Sequence, residues 1–347
     1  MSGNFDINKA ITNLISDFEK SQYTHQPKFE LIKDLPVLTR DNLRKIQMKK
    51  GVFCSKTSGS TGEPVSVEKT IYDYIWGIAT NTRELLWRGW DFSKTRASIK
   101  PSLDKKEKII PHWGVPKEIA PIQGNWHHYY YATINEIQNW LEKINPYYLH
   151  CAPTIVKQLD LGKIKNLLDV KGTGEVGGTM YSSEECGTIA IQCPDNKENY
   201  HVMENIIVEV NENNEIIITS LTNPYIKRYK HGDVVELGKC TCNRTLQTIT
   251  KIHGRKRNMF YMKDGNKKWP LFGSRTYYEK YGIKQYKVIQ KTLENLEIQI
   301  ICEKLDFQTE INLKKEICEL LESDLSVDIT YVSYFSNYKH EEFVSLL

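Results

Sequence analysis

No apolar run in the sequence approaches the roughly 18 residues that a membrane-spanning helix needs, so nothing in it argues for a bilayer. Met1 to Leu14 lacks a basic flank followed by a continuous apolar stretch. Asp6, Lys9 and Asn13 interrupt it, which argues against a secretory leader. Neither sign of charge dominates: 47 basic residues against 43 acidic ones give +4, too little and too dispersed to point to a nucleic-acid partner. The eight cysteines are spread over 347 residues, unlike the dense framework of a small disulfide-stapled scaffold. No internal repeat or low-complexity tract is evident. What remains is a globular chain, expected in the cytoplasm, with ordinary shares of hydrophobic (40%) and charged (26%) residues. It is long enough for more than one domain, since single cores stop growing at roughly 250–300 residues.

Apolar residues at helical spacing predict a helix over 7–18, and Leu35-Pro36-Val37-Leu38-Thr39 reads as an extended entry to a second one. Thr39 is its candidate N-cap, with Leu43 and Ile46 on the buried face. A polar, small-residue loop is expected over 55–64 and a helix over 70–87. The stretch 96–131 has no clear period. A helix over 134–144 should stop before Asn145-Pro146, followed by a short strand at 147–151 and a helix opened by Ala152-Pro153-Thr154. Segments 206–210 and 215–220 flank Asn-Glu-Asn-Asn as a hairpin, with a second strand pair near 234–237 and 247–252. Beyond residue 254, Asp264-Gly265 marks a turn between two short extended segments. The order then predicted is helix 272–281, strand 284–291, strand 294–302, helix 308–321, strand 326–331. That order suggests a small α+β domain with antiparallel pairing, separated from the rest near Asn258.

The most informative stretch is Thr57-Ser58-Gly59-Ser60-Thr61-Gly62-Glu63-Pro64. Four hydroxyls and two glycines in its first six residues let the backbone curl so that N–H and O–H groups face a polyphosphate. The Gly-Lys-Ser/Thr ending of a Walker loop is absent. Composition alone leaves a surface linker as an equal alternative.

The order of the surrounding motifs resembles the adenylate-forming superfamily, especially its phenylacetate–CoA ligase-like branch. The branch shows a Leu-Pro-Leu-Thr-like element upstream, as Leu35 to Thr39 does here, and a phosphate loop like 57–62. Glu63 stands where many members have lysine; Lys56 and Lys69 could supply the positive charge. Gly172-Thr173-Gly174-Glu175 and Tyr181-Ser182-Ser183-Glu184-Glu185-Cys186-Gly187 resemble the next two motifs. By that resemblance Gly174 and Glu175 belong to the nucleotide site and Tyr181 lies against adenine. Ser183 and Glu184 line the adenylate phosphate, and Glu185 is the Mg²⁺-binding catalytic carboxylate. Ser182 and Glu184 depart from the family's glycine and hydroxyl residue, and the spacing from 175 to 181 is short. Ile226-Lys227-Arg228-Tyr229-Lys230-His231-Gly232-Asp233 is the strongest match, making Asp233 the acceptor for both ribose hydroxyls. His253-Gly254-Arg255-Lys256-Arg257-Asn258 resembles the hinge motif, with Arg255 on ribose or phosphate and Asn258 at the usual aspartate pivot. Lys339, near the end of the sequence, resembles the lysine that stabilises the transition state.

The resemblance implies an α/β protein: a large adenylate-forming domain of mixed sheets and helices over 1–257, and a small, mobile α+β C-terminal domain over 258–347. It implies a shortened scaffold that lacks part of the family's usual N-terminal region. It also implies ATP and Mg²⁺, a carboxylic acid as substrate, and CoA or a carrier-protein thiol as acceptor. An amide-forming ligase and an inactive nucleotide-binding scaffold stay open, as does a homodimer. Cys193-x7-His201 and Cys240-x-Cys242 offer an imidazole and three thiols, a set that suits tetrahedral Zn²⁺; ordinary reduced cysteines are the alternative. Some members of the branch carry a similar set, which implies structural zinc. Trp126 to Tyr131 and Tyr147-Tyr148 are aromatic enough to wall a pocket for an aryl acid. They serve equally well as core. At most one of the adjacent His127 and His128 could orient a substrate carboxylate.

Overall fold

The structure is a computed structural model, and it describes residues 6–24, 30, 32–57, 64–100, 107–130, 132–172, 178–256, 259–268, 277, 280–334 and 341–346. The first helix, α1 (Ile7–Thr24), is longer than its periodicity required. It buries Ile11, Ile15 and Phe18 against Ile75 and Ala79 of α3 (Ile71–Trp87). A capping box starts α3: the Thr70 hydroxyl accepts from the Asp73 N–H while the Asp73 carboxylate accepts from the Thr70 N–H. Between the two lie α2 (Arg40–Lys45) and a hairpin of β1 (Phe53–Lys56) and β2 (Ser66–Lys69). Ser55 and Lys56, expected in the loop, therefore belong to a strand. Thr39 caps α2 through its hydroxyl, as expected, and Leu43 is 1% exposed.

The stretch 96–131 is only partly irregular: residues 111–125 form turns and loop, with strands on either side. It supplies β3 (Arg96–Lys100), β4 (Lys108–Ile110) and β5 (Trp126–Tyr130), and β3 is central to a five-stranded sheet. With β6 (Tyr148–Cys151) and β7 (Asp169–Gly172) the order is β4-β5-β3-β6-β7, parallel except for the antiparallel edge strand β4. Helix α4 (Ile134–Ile144) ends at Asn145 in the left-handed conformation and, with the four-residue α5 (Pro153–Val156), covers one face of that sheet. Ala97, Ile99, Leu149 and Cys151 project into this apolar layer with Ile137, Trp140 and Leu141.

A seven-stranded antiparallel sheet follows. Its strands are β8 (Met180–Ser183), β9 (Gly187–Gln192), β10 (Tyr200–Val202), β11 (Ile206–Val210), β12 (Glu215–Ser220), β13 (Tyr229–Gly238) and β14 (Thr248–Arg255), in the order β11-β12-β13-β14-β10-β9-β8. The two hairpins predicted from sequence are both present, the second longer than expected. The Leu35–Thr39 element docks beside β13. Leu38 N–H donates to Arg228 O, and Leu38 O accepts from Lys230 N–H, each at 2.9 Å.

Next come the short hairpin β15 (Phe260–Tyr261) and β16 (Lys267–Lys268), turned at Gly265 with φ +80°. Then follow β17 (Gln285–Gln290), β18 (Asn295–Ile301), α6 (Phe307–Leu321), β19 (Ser326–Tyr331) and β20 (Glu341–Ser345). The last sheet runs β19-β18-β17-β20. Only β17–β18 is antiparallel, so the expected all-antiparallel pairing is corrected. The connection through α6 from β18 to the adjacent β19 is a crossover, which leaves those two strands parallel. Strand β20 was not expected at all. Leu313, Ile317 and Leu321 of α6 close a core with Val288, Ile298 and Ile300. The fold is thus α/β, a larger region of mixed sheets and helices followed by a smaller α+β region. The helix expected over 272–281 lies mostly outside the described residues, as does Asn258 at the expected boundary. No helix among the described residues is long and apolar enough to cross a membrane.

Candidate active site

Docking of Leu38 on β13 places Thr39 and the first turn of α2 beside the β8–β9 turn. Arg40 reaches from there to two residues that the motifs had singled out. Its guanidinium donates to Glu185 Oε1 at 2.9 Å and to Thr57 Oγ1 at 2.8 Å. Thr57 is held in turn by Val65, whose N–H donates to Oγ1 at 2.9 Å. Glu185 is 2% exposed, also accepts from Tyr229 OH at 3.1 Å, and its main-chain carbonyl accepts from Lys69 Nζ at 2.7 Å. Burial would raise the Glu185 pKa, but His231, Arg40 and Arg255 together hold it below the ordinary glutamate value. Lys69 is itself buried, and desolvation lowers its pKa. It is committed to Glu185 rather than free to face a phosphate.

A second cluster sits on β13 and β14. Asp233 Oδ1 pairs with Arg255 Nε at 2.9 Å, Oδ2 accepts from Tyr181 OH at 2.6 Å, and His231 Nδ1 lies 3.1 Å from the same oxygen. Burial opposes ionisation, yet these partners, His231 foremost, hold the Asp233 carboxyl well below the usual range. Tyr181 is pushed well above its usual value by burial and by that carboxylate. Tyr181 therefore sits within the sheet core, its hydroxyl spent on Asp233. The carboxylate expected to receive two ribose hydroxyls already takes up three of roughly four lone-pair sites. Arg255 also donates to His231 O at 2.5 Å.

The two clusters flank one cavity of about 790 Å³, lined by Thr57, Ser183, Glu184, Glu185, His231 and Arg255, and by Arg40, Arg44, Lys230 and Lys256. Ser183 Oγ accepts from the Cys186 N–H at 3.1 Å and closes the turn that carries Glu185. Glu184 and Ser182 are exposed on the cavity side of that turn. Ser58, Gly59, Ser60, Thr61, Gly62 and Glu63, Gly174 and Glu175, and Lys339 lie outside the described residues. Sequence reasoning missed Arg40 and His231. Arg40 follows the extended element directly and His231 falls inside the strongest motif, so position, not residue type, was the signal for both.

Away from the cavity, Cys193, His201, Cys240 and Cys242 converge: one ligand atom from each lies within 4.8 Å of all the others. Antiparallel pairing of β10 with β9 and β14 brings them together. Cys240 Sγ is 3.7 Å from Cys193 Sγ, and Cys242 Sγ is 3.2 Å from His201 Nε2. Two sulfurs each about 2.3 Å from a tetrahedral ion would be about 3.8 Å apart. Burial depresses the His201 pKa to about 4, which leaves the neutral imidazole that binds metal, and Nδ1 lies 3.4 Å from Thr248 Oγ1. The donor set fits zinc.

No protein-family model and no curated protein matches this sequence. Solved structures do resemble it in fold. The crystal structure of 2-hydroxyisobutyryl-CoA ligase in the postadenylation state, in complex with 2-HIB-AMP, matches over 96% of this chain and 89% of that one, with a TM-score of 0.58 at 12% identity. This chain has the fold of that ligase. The same enzyme in complex with R3-HIB-AMP covers the same shares at 12% identity, with a TM-score of 0.55. The resemblance drawn from the motifs and the likeness in fold thus point to the same kind of scaffold.

Proposed function

We propose that this protein activates a carboxylic acid with ATP as an acyl-adenylate and then passes the acyl group to a thiol of CoA or of a carrier protein. The carrying observation is the shared cavity, where Thr57, Ser183, Glu184, Glu185 and Arg255 meet from distant parts of the sequence. The ligase of the same fold was crystallised with its acyl-adenylate, which supports the same chemistry here.

In the first half-reaction a carboxylate oxygen attacks the α-phosphorus of ATP and pyrophosphate leaves. In the second, a thiol attacks the acyl carbon and AMP leaves with the bridging oxygen. Arg40 and Arg255 place positive charge beside the phosphates, where charge builds up in the transition state. Thr57 opens the phosphate loop 57–62, and Gly174 and Glu175 belong to the same nucleotide site. Asp233 serves the ribose hydroxyls once Tyr181 or His231 gives way, and Tyr181 borders the adenine side. Glu185, ionised and lining the cavity, suits Mg²⁺, which takes carboxylate oxygens while keeping water ligands. That ion would neutralise phosphate charge. Lys339 is assigned to the transition state from a small domain, 258–347, that pivots on Asn258 against 1–257. Cys193, His201, Cys240 and Cys242 would hold a structural zinc. The cytoplasm, with its ATP and CoA, is the compartment this chemistry needs.

ATP–pyrophosphate exchange across a panel of aromatic and aliphatic acids tests the reading. Exchange that vanishes in Glu185→Gln is expected. Silence across the panel with nucleotide still bound would instead indicate a scaffold without turnover.

A further inference from the structure

The five-stranded sheet has two unlike faces. One is the apolar layer under α4. On the other, the register aligns Trp126, Arg96, Tyr148 and Asp169 in one row and His128, Ser98, His150 and Lys171 in the next, with Lys100 beyond. Strands of parallel register place paired residues on the same side, so this face carries Arg96, Lys100, Lys171 and two histidines. Glu84 of α3 meets Lys171 at 2.5 Å, and Asn81 accepts from the same ammonium at 2.9 Å. Asp169 is committed to Arg88 and to Trp90 Nε1, each at 2.7 Å. Glu84 is then the one described carboxylate set against Arg96 and Lys171, and it forms its ion pair with Lys171.

Arg96 is 1% exposed, and its Nε and NH1 have no hydrogen-bond partner among the described residues. Its guanidinium lies 4.2 Å from the centre of the Trp126 ring, which stabilises the charge without satisfying its donors. Its NH2 lies 3.4 Å from His150 Nδ1. That contact assigns the His150 proton to Nε2, a third buried donor without a described partner. Burial and the neighbouring Lys171, Arg96 and Lys100 charges keep His150 neutral. Orphaned buried donors are costly unless something accepts from them. The row ends at the carboxyl edge of parallel strands, where α/β sheets bind ligands, and Lys100 stands exposed at that edge.

We propose that the Arg96–His150–Lys100 face binds a second acidic group on the acid to be activated, so that the preferred substrates are dicarboxylic acids or aryl acids bearing an acidic substituent. This rests on the adenylation reading above. The buried Arg96 and His150 N–H donors and the Lys100 ammonium suit a carboxylate or another oxyanion, while a purely apolar acyl chain would leave the buried donors unpaired.

The test is exchange in the full-length protein with pairs of acids matched in length, one carrying a second acidic group and one ending in methyl or phenyl. The diacid is expected to show a KM about tenfold or more lower than its partner, the size of one well-placed charge-assisted contact. Lys100→Met, at the exposed end, and His150→Phe, of similar bulk, should each shrink that ratio severalfold. Equal KM values, or a ratio that neither variant changes, would overturn the assignment while leaving adenylation standing. If no acid supports exchange, adenylation fails, and tryptophan fluorescence titration with the same pairs decides the binding site. Saturable binding of the diacid alone, weakened by Lys100→Met, supports it; equal binding or no binding of both overturns it.

Discussion

Asp233→Asn takes away the negative charge that Arg255, His231 and Tyr181 share, and it does so where the carboxylate is only 7% exposed. The folded-state pKa lies below that of an unfolded aspartate, so the stabilisation is fully present above the unfolded value near 3.9. It is lost as pH falls through the folded value. At neutral pH the variant therefore forfeits all of it and leaves Arg255 without its partner on Oδ1. Breaking a buried pair by removing one charge costs about 3–5 kcal/mol. For a cooperative unit of about 150–250 residues each kcal/mol shifts Tm by about 2–4 °C, giving a fall of roughly 6–20 °C. Tyr181→Phe deletes one hydrogen bond to the charge and should cost about 1.5–3 kcal/mol, clearly less. Differential scanning calorimetry at pH 7 reads both, and a repeat near pH 3, below the unfolded value of about 3.9, should show a smaller gap between Asp233→Asn and the parent. A fall below about 2 °C at pH 7, or the reverse ranking of the two variants, would refute the assignment of Asp233 as the charge that organises this cluster.

Arg40→Ala should lower pyrophosphate exchange about 10- to 100-fold, as expected for loss of hydrogen bonds to a charged group, with an unchanged circular dichroism spectrum. Glu204→Gln breaks the bidentate pair with Arg83 (2.7 and 2.8 Å), in which both side chains are buried. Chemical denaturation should show a loss of about 3–5 kcal/mol. Purified protein should carry about one zinc per chain by plasma emission spectrometry; Cys242→Ala should lose most of it and melt earlier. Leu141→Ala, at a fully buried position in α4, should cost about 2–5 kcal/mol by leaving a cavity under the five-stranded sheet.

Local chemistry explains what the sequence disclosed of this fold and what it hid. Helices α3 and α4 were readable because capping residues and apolar spacing agree, and Thr133 and Glu136 complete a capping box at the start of α4. Strand β3 was hidden because Arg-Ala-Ser-Ile-Lys looks solvent-facing, yet its first four residues are buried. Arg96 at its start is flanked by the rings of Trp126 and Trp113, 4.2 and 5.5 Å from the guanidinium, a long-range arrangement that no local pattern encodes. Strand β20 was missed because Glu-Glu-Phe-Val-Ser is short and acidic, and parallel pairing with β17 alone defines it. The Cys/His quartet was legible from residue types, although only strand register brings residues 193, 201, 240 and 242 together. Glu185 and Asp233 were singled out through motifs. What the motifs did not convey is how strongly each carboxylate is already held by the protein's own cations.

In the proposed reaction the acid passes through an acyl-adenylate. Incubation with an active acid whose carboxylate is ¹⁸O-labelled, with ATP, Mg²⁺ and CoA or another thiol acceptor, tests it at the level of the bond made. Mass spectrometry of the nucleotide should find one ¹⁸O in the phosphate of AMP and none in pyrophosphate, and Glu185→Gln should leave AMP unlabelled. Label in inorganic phosphate together with ADP, or acid consumed with no label in AMP, would contradict the account.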